Sequence, residues 1–302
     1  MKEIDYINVI EKLNEDYNSK INDVLNSKSY RLGNKICLLF DIKNLFKNLK
    51  IRKMNRKINR ISFSSHKKIY NKDIVDESKK CVVYSCVTGN YDNIKEPLIK
   101  LCDYVMFTDS LKINSNNWNI RILPDKLANK KGNLANRYIK FHPFEFFKDY
   151  DYAIYIDGNV QVISDPRQLC KIASNSKIGL AMHSHSSRNC LYNEALACKI
   201  MRRGNKKKID QQILKYRKEG FPKKFGLCEA TIIVYDLKNK NAQLISNAWY
   251  EEFLNSSSGR DQLALPYVIW KNNFKIEDIG FLGNNVWENP IFKIKNERKH
   301  KN

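Results

Sequence analysis

The segment from Tyr150 to Val162 reads Tyr-Asp-Tyr-Ala-Ile-Tyr-Ile-Asp-Gly-Asn-Val-Gln-Val, and it constrains the fold more than any other. Aromatic and β-branched residues dominate Tyr152 to Ile156, the composition of a strand, and the run stops at Asp157. Gly158 permits a sharp reversal, so Asp157 and Asn159 are expected to bring side-chain oxygens to one spot. Hard divalent cations such as Mn²⁺ or Mg²⁺ take oxygen ligands, which makes this pair a candidate metal site able to bridge to the phosphates of a nucleotide. The plainer alternative is an acid that only forms a turn or caps a helix, and Asn159 adds no charge.

The rest of the chain supplies a sheet for that strand. Cys81–Val87, Tyr104–Phe107, Trp118–Ile122, Lys177–Met182 and Thr231–Tyr235 read as strands, and residues 133–142, 210–219, 242–254 and 262–271 as helices. Such alternation predicts an α/β fold whose sheet is covered on both faces. Ligands in open α/β sheets bind beyond the carboxyl ends of strands, and three predicted strands end in polar groups: Thr88 to Asp92, Asp109, and Asp157 to Asn159. There is no Gly-x-Gly-x-x-Gly and no phosphate-binding Gly-Lys-Ser/Thr loop, which argues against dinucleotide and ATPase sites.

Several stretches on both sides of the Asp157 segment keep order and spacing with it. They are Asn136-Arg137 with Lys140 and His142-Pro143, then Gly220-Phe221-Pro222, Gly226 to Thr231, and Arg260-Asp261-Gln262. Together they resemble the glycosyltransferase-like domain shared by plant mucilage-related proteins and bacterial polysaccharide-locus proteins. The Asp157 stretch is similar to the Asp-x-Asp motif of glycosyltransferases of the GT-A fold, with Asn159 in the third position. The resemblance implies a GT-A-like (Rossmann-like) nucleotide-sugar-binding domain over residues 80–302, behind a helical, basic extension and linker over 1–79. It further implies a nucleotide-sugar donor, a divalent cation, and a glycan or lipid-linked acceptor in bacterial surface polysaccharide synthesis. Thr88, Tyr91 and Asp109 would then hold base and ribose, and His300 would be a late metal or phosphate contact.

Glycosyl transfer requires neutralisation of the leaving diphosphate, an acceptor hydroxyl held in line and, in inverting enzymes, a group to take its proton. Arg137 and Lys140, three residues apart on one helix face, are candidate cationic helpers. Asp261 and Glu229 are the candidate catalytic or acceptor-side carboxylates; the plain reading of Asp261 is a helix N-cap. His183, His185 and Arg188 are expected in a loop lining the site, with Arg260 and Gln262 nearby.

Charge suggests partners of another kind. The chain carries a net +22, and residues 28–72 hold fourteen Lys or Arg against the single acid Asp41, or +13. There, Leu38, Ile42, Leu45, Phe46 and Leu49 form one apolar stripe beside Lys43, Lys47 and Lys50, as in a helix lying on an anionic membrane surface or packed on the domain. A specific nucleic-acid site is not expected, because the basic stretch lacks interleaved aromatics. The eight cysteines show no Cys-x-x-Cys spacing, the first residues are polar, and no apolar run reaches membrane-spanning length. These features predict a reduced, cytoplasmic protein, peripheral on the inner face of the membrane. The rival readings are a noncatalytic nucleotide-sugar or glycan-binding relative, suggested by Asn159 in place of an acid, and, second to it, a nucleic-acid-binding protein, suggested by charge alone.

Overall fold

The computed structural model describes residues 75–295 apart from 90–93, 129 and 131. The basic extension up to residue 74, Tyr91 and His300 therefore lie outside the described residues.

The apolar runs become the strands of a seven-stranded sheet. β1 (Cys81–Val87), β2 (Asp103–Thr108) and β3 (Asn119–Ile122) run parallel to one another and to β4 (Tyr152–Ile156). β7 (Cys228–Asp236) lies antiparallel between β4 and β6 (Leu180–Ser184), and β8 (Gly280–Phe281) closes the edge, giving the order β3-β2-β1-β4-β7-β6-β8. Every residue of β1 is buried, as expected of a strand covered on both faces.

The two faces feed two cores. Val82, Tyr84 and Cys86 of β1 and Tyr155 of β4 point to one side. There they meet α1 (Gly132–Phe141), α2 (Leu191–Ile200), α3 (Lys206–Lys218), α4 (Lys240–Ser256) and α5 (Asp261–Lys271). Cys81, Val83, Ile154 and Ile156 point to the other side. That side is closed by the helical turn Cys170–Ser174 and by an antiparallel ribbon of β5 (Val160–Val162) and β9 (Phe292–Ile294). The α/β architecture with both faces covered is thus present. Pro143, two residues past Phe141, the last residue of α1, opens a short helical turn, Pro143–Phe146, where its missing N–H costs nothing. Among the described residues no helix is long and apolar enough to cross a membrane.

Candidate active site

Three buried hydroxyls fix the carboxyl end of α1, where helical carbonyls lack partners. Tyr84 and Tyr235 both donate to the Lys140 carbonyl (2.7 and 3.0 Å), and Ser246 donates to that of Phe141 at 2.6 Å. Lys140 is thereby held in the core with its side chain only 2% exposed. Its Nζ donates to Asp261 Oδ2 at 3.1 Å, sits 4.8 Å from the Tyr155 ring centre, and lies 3.9 Å from Asp157 Oδ1. Arg137, one turn earlier, places Nε 2.8 Å from the same Asp261 oxygen, an ion pair without hydrogen-bond alignment.

Asp261 is not the N-cap of α5; Arg260 takes that position and Asp261 is the first helical residue. Trp249 donates its indole N–H to the Asp261 carbonyl at 2.7 Å, which locks the start of the helix. Burial pushes the Asp261 carboxyl upward, but Arg137 and Lys140 beside it outweigh burial and hold it well below the usual carboxylate range. Burial likewise opposes charge on Arg137, and Asp261 outweighs it and keeps the guanidinium protonated.

Asp157 follows β4, with its side chain about one-third exposed (32%). The Tyr155 hydroxyl donates to its Oδ1 at 3.1 Å. Asn136 ties this point to the end of β1, donating to the Cys86 carbonyl at 2.6 Å and to the Tyr155 hydroxyl at 3.4 Å. Beyond the same strand ends, the Gly89 N–H donates to both oxygens of Asp109 (3.1 and 2.9 Å), joining the loops after β1 and β2. Thr88 packs against the start of α1, where a Cβ on Gly132 would meet its hydroxyl at 2.7 Å.

Gln262 carries the network from Asp261 to the other candidates. Its Nε2 donates to the Cys228 carbonyl (2.9 Å) and to Glu229 Oε2 (3.2 Å). Glu229 Oε1 lies 3.5 Å from His185 Nε2, which is also 3.3 Å from Glu194 Oε2 and 3.0 Å from an Arg188 NH2. His185 Nδ1 accepts backbone N–H groups of Ser187 and Arg188, which turns Nε2 toward the two carboxylates and the Arg188 guanidinium. Glu194 is buried on α2 and holds Arg188 Nε at 2.5 Å, accepts the Cys198 thiol at 3.2 Å, and has Arg260 at 4.0 Å. Burial raises its pKa, yet the His185 hydrogen bond and the Arg188 charge bring it down to about 2.

A family profile, TOD1/MUCI70, glycosyltransferase-like domain, matches residues 52–282. The chain belongs to this family. The resemblance read from residues 136 to 262 is confirmed, and the sheet and helices described above form a glycosyltransferase-like domain. Among solved structures the chain is similar to the apo structure of the bifunctional glycosyltransferase WbbM, at 15% identity and a TM-score of 0.38. That match covers 68% of this chain and 39% of the other, so the chain spans well under half of that protein's length. No curated protein matches the chain at a significant level.

In this TOD1/MUCI70 domain the structure gathers Arg137, Lys140, Asp157 and Asp261 into one cluster and His185, Arg188, Glu229, Arg260 and Gln262 into its neighbour. His183 is not in a loop. It is a fully buried residue of β6 whose Nε2 meets Asn289 Nδ2 at 2.9 Å, just after a bulge between Met182 and His183. Asn159 is buried, and its side-chain amide donates to the Lys295 carbonyl at 3.3 Å while its backbone carbonyl accepts the Lys295 N–H. Sequence reasoning missed Glu194 and Tyr155 as members of the site. Tyr155 sits in the strand that pointed to Asp157, so alternation along β4 put its ring on the helix-covered face.

For a divalent cation, no group of three His, Cys, Asp or Glu side chains among the described residues is arranged to hold a metal ion. Asp157 offers one partly exposed carboxylate beside the strand ends, which fits a Mg²⁺-type site completed by substrate phosphates and water.

Proposed function

We propose that the chain is a glycosyltransferase that moves a sugar from a nucleotide-sugar donor to a glycan or lipid-linked acceptor in bacterial surface polysaccharide synthesis. The observation that carries this reading is the continuity of the site. The tripeptide Arg260-Asp261-Gln262 joins a cationic cluster at the end of β4 to a carboxylate–imidazole cluster at the start of β7. One end suits an anionic leaving group and the other an acceptor hydroxyl.

On the donor side, Thr88 and Asp109 flank the nucleotide, and Arg137 presents the exposed part of its guanidinium toward the diphosphate. Lys140, being buried, acts through Asp261 and Asp157 rather than by touching substrate. Mn²⁺ or Mg²⁺ would be held by Asp157 and would neutralise charge on the departing diphosphate. On the acceptor side, Glu229 is the proton acceptor, 21% exposed and backed by His185 and Gln262. Asp261 is an ionic anchor instead, because a carboxylate clamped between two cations is a poor base.

The test is a thermal-shift screen of nucleotide sugars with and without Mn²⁺, followed by hydrolysis and transfer assays. A ligand that binds the native state at 100 times its Kd raises stability by about 2.7 kcal/mol. The reading expects a shift with at least one nucleotide sugar that Asp157→Ala abolishes in the presence of Mn²⁺. Binding without hydrolysis or transfer would favour the noncatalytic relative.

A further inference from the structure

A second feature lies outside the site. Between Lys199 and Lys224 the chain carries eleven Lys or Arg and two acids, a net +9 within the last turn of α2, α3 and the loops that follow each. Internal pairing accounts for little of this charge. Lys199 bonds to Asp210 at 2.5 Å and Lys215 to Glu252 at 2.8 Å. Arg202, Lys206, Lys207, Lys208 and Lys218 are exposed and form no ion pair among the described residues. Three large aliphatic side chains stand among them: Ile200 is 47% exposed, Met201 43% and Leu214 55%.

The helix sorts these groups by face. Ile209, Gln212 and Tyr216 are the buried residues of α3. Lys207, Leu214 and Lys218 follow at spacings of seven and four residues, which puts them on one outward face opposite the core. An outward aliphatic side chain flanked by lysines is the pattern of a helix lying in a lipid interface, with its apolar group among acyl chains and its cations among anionic headgroups. Nucleic acid fits less well, because the aromatic residues of this stretch, Tyr216 and Phe221, are buried and give bases no stacking platform.

The patch also borders the site. The Asn205 N–H donates to the Ser258 carbonyl at 2.9 Å, and a Cβ on Gly204 would lie 2.5 Å from that oxygen and 2.8 Å from Arg260 Cγ. The loop from Met201 to Asn205 thus rests on the turn that delivers Arg260-Asp261-Gln262.

We propose that this face of the domain, centred on Lys207, Leu214 and Lys218, docks on an anionic lipid surface. Docking there brings the acceptor end of the site to the membrane, and it needs no contribution from the extension at residues 28–72.

The experiment uses the full chain and sedimentation with phosphatidylcholine vesicles, with or without ~30% phosphatidylglycerol, a composition within the anionic range such surfaces read. The wild type should bind only the anionic vesicles and release as salt rises. Each basic residue near such a surface contributes about fivefold in affinity, so K207Q/K218Q should bind about 25-fold more weakly. Adding L214E should weaken binding further, while nucleotide-sugar thermal shifts stay as in the wild type. K207Q/K218Q leaves the buried face of α3 untouched and decides the matter if the triple variant does not fold. Unchanged vesicle binding by K207Q/K218Q would assign attachment to the basic extension and overturn the proposal. So would a wild-type chain that ignores anionic vesicles at low salt, or one that binds single-stranded RNA in their place.

Discussion

Asp261→Asn separates the anchor role from the catalytic role. The change keeps side-chain size and removes one charge from a carboxylate that lies 2.8 Å from Arg137 Nε and 3.1 Å from Lys140 Nζ. Removing one partner of a buried ion pair typically costs 3–5 kcal/mol, because the remaining charge stays desolvated. Here Lys140 is the buried charge, and it retains Asp157 at 3.9 Å and the ring of Tyr155. Arg137 keeps some water, with a side chain 24% exposed. Those remnants place the expected loss at the low end, about 3 kcal/mol. Urea denaturation at neutral pH measures it. Lys140→Met in the same chain should recover most of the loss, since it removes the orphaned cation, and the pair should be strongly non-additive. If Asp261→Asn is as stable as the wild type yet transfers no sugar, the anchor assignment fails and Asp261 returns as the proton acceptor.

Other expectations follow from neighbouring residues. Glu229→Gln should lower kcat by at least about 100-fold with donor affinity nearly unchanged, in line with loss of a general base; equal losses in both would make it a donor ligand. Glu194 has its pKa depressed from 4.5 to about 2, so its stabilisation is present above about pH 4.5 and lost as pH falls through 2. The stabilisation amounts to roughly 3 kcal/mol when fully present, and Asp261 acts in the same direction. Unfolding midpoints between pH 6 and 3 should fall less steeply in Glu194→Gln, and an unchanged slope refutes the assignment. Asn159→Asp replaces the N–H donor to the Lys295 carbonyl with a buried acceptor, and should destabilise by about 1–3 kcal/mol by thermal melting. A gain in Mn²⁺ affinity with no loss of stability would instead make position 159 a ligand.

The sequence by itself determined six of the seven strands of the central sheet, the two-residue edge strand β8 excepted, and the place where β4 stops, because an unbroken apolar run followed by Asp157-Gly158 has few other folded forms. It also marked Arg260-Asp261-Gln262 and the pairing of Arg137 with Lys140 on one helix face, both of which lie in the site. Only the tertiary structure decided what these groups touch. Lys140 and Asp261 are 121 residues apart, and Asn159 reaches Lys295 across 136, so neither contact leaves a local pattern. Glu194 was invisible for a related reason. Leu191–Ile200 mixes polar and apolar residues without a clear helical stripe, and its buried carboxylate becomes tolerable only when Arg188, His185 and Arg260 converge on it. Periodicity encodes which face of an element is buried; which charges meet inside depends on how the helices close over the sheet.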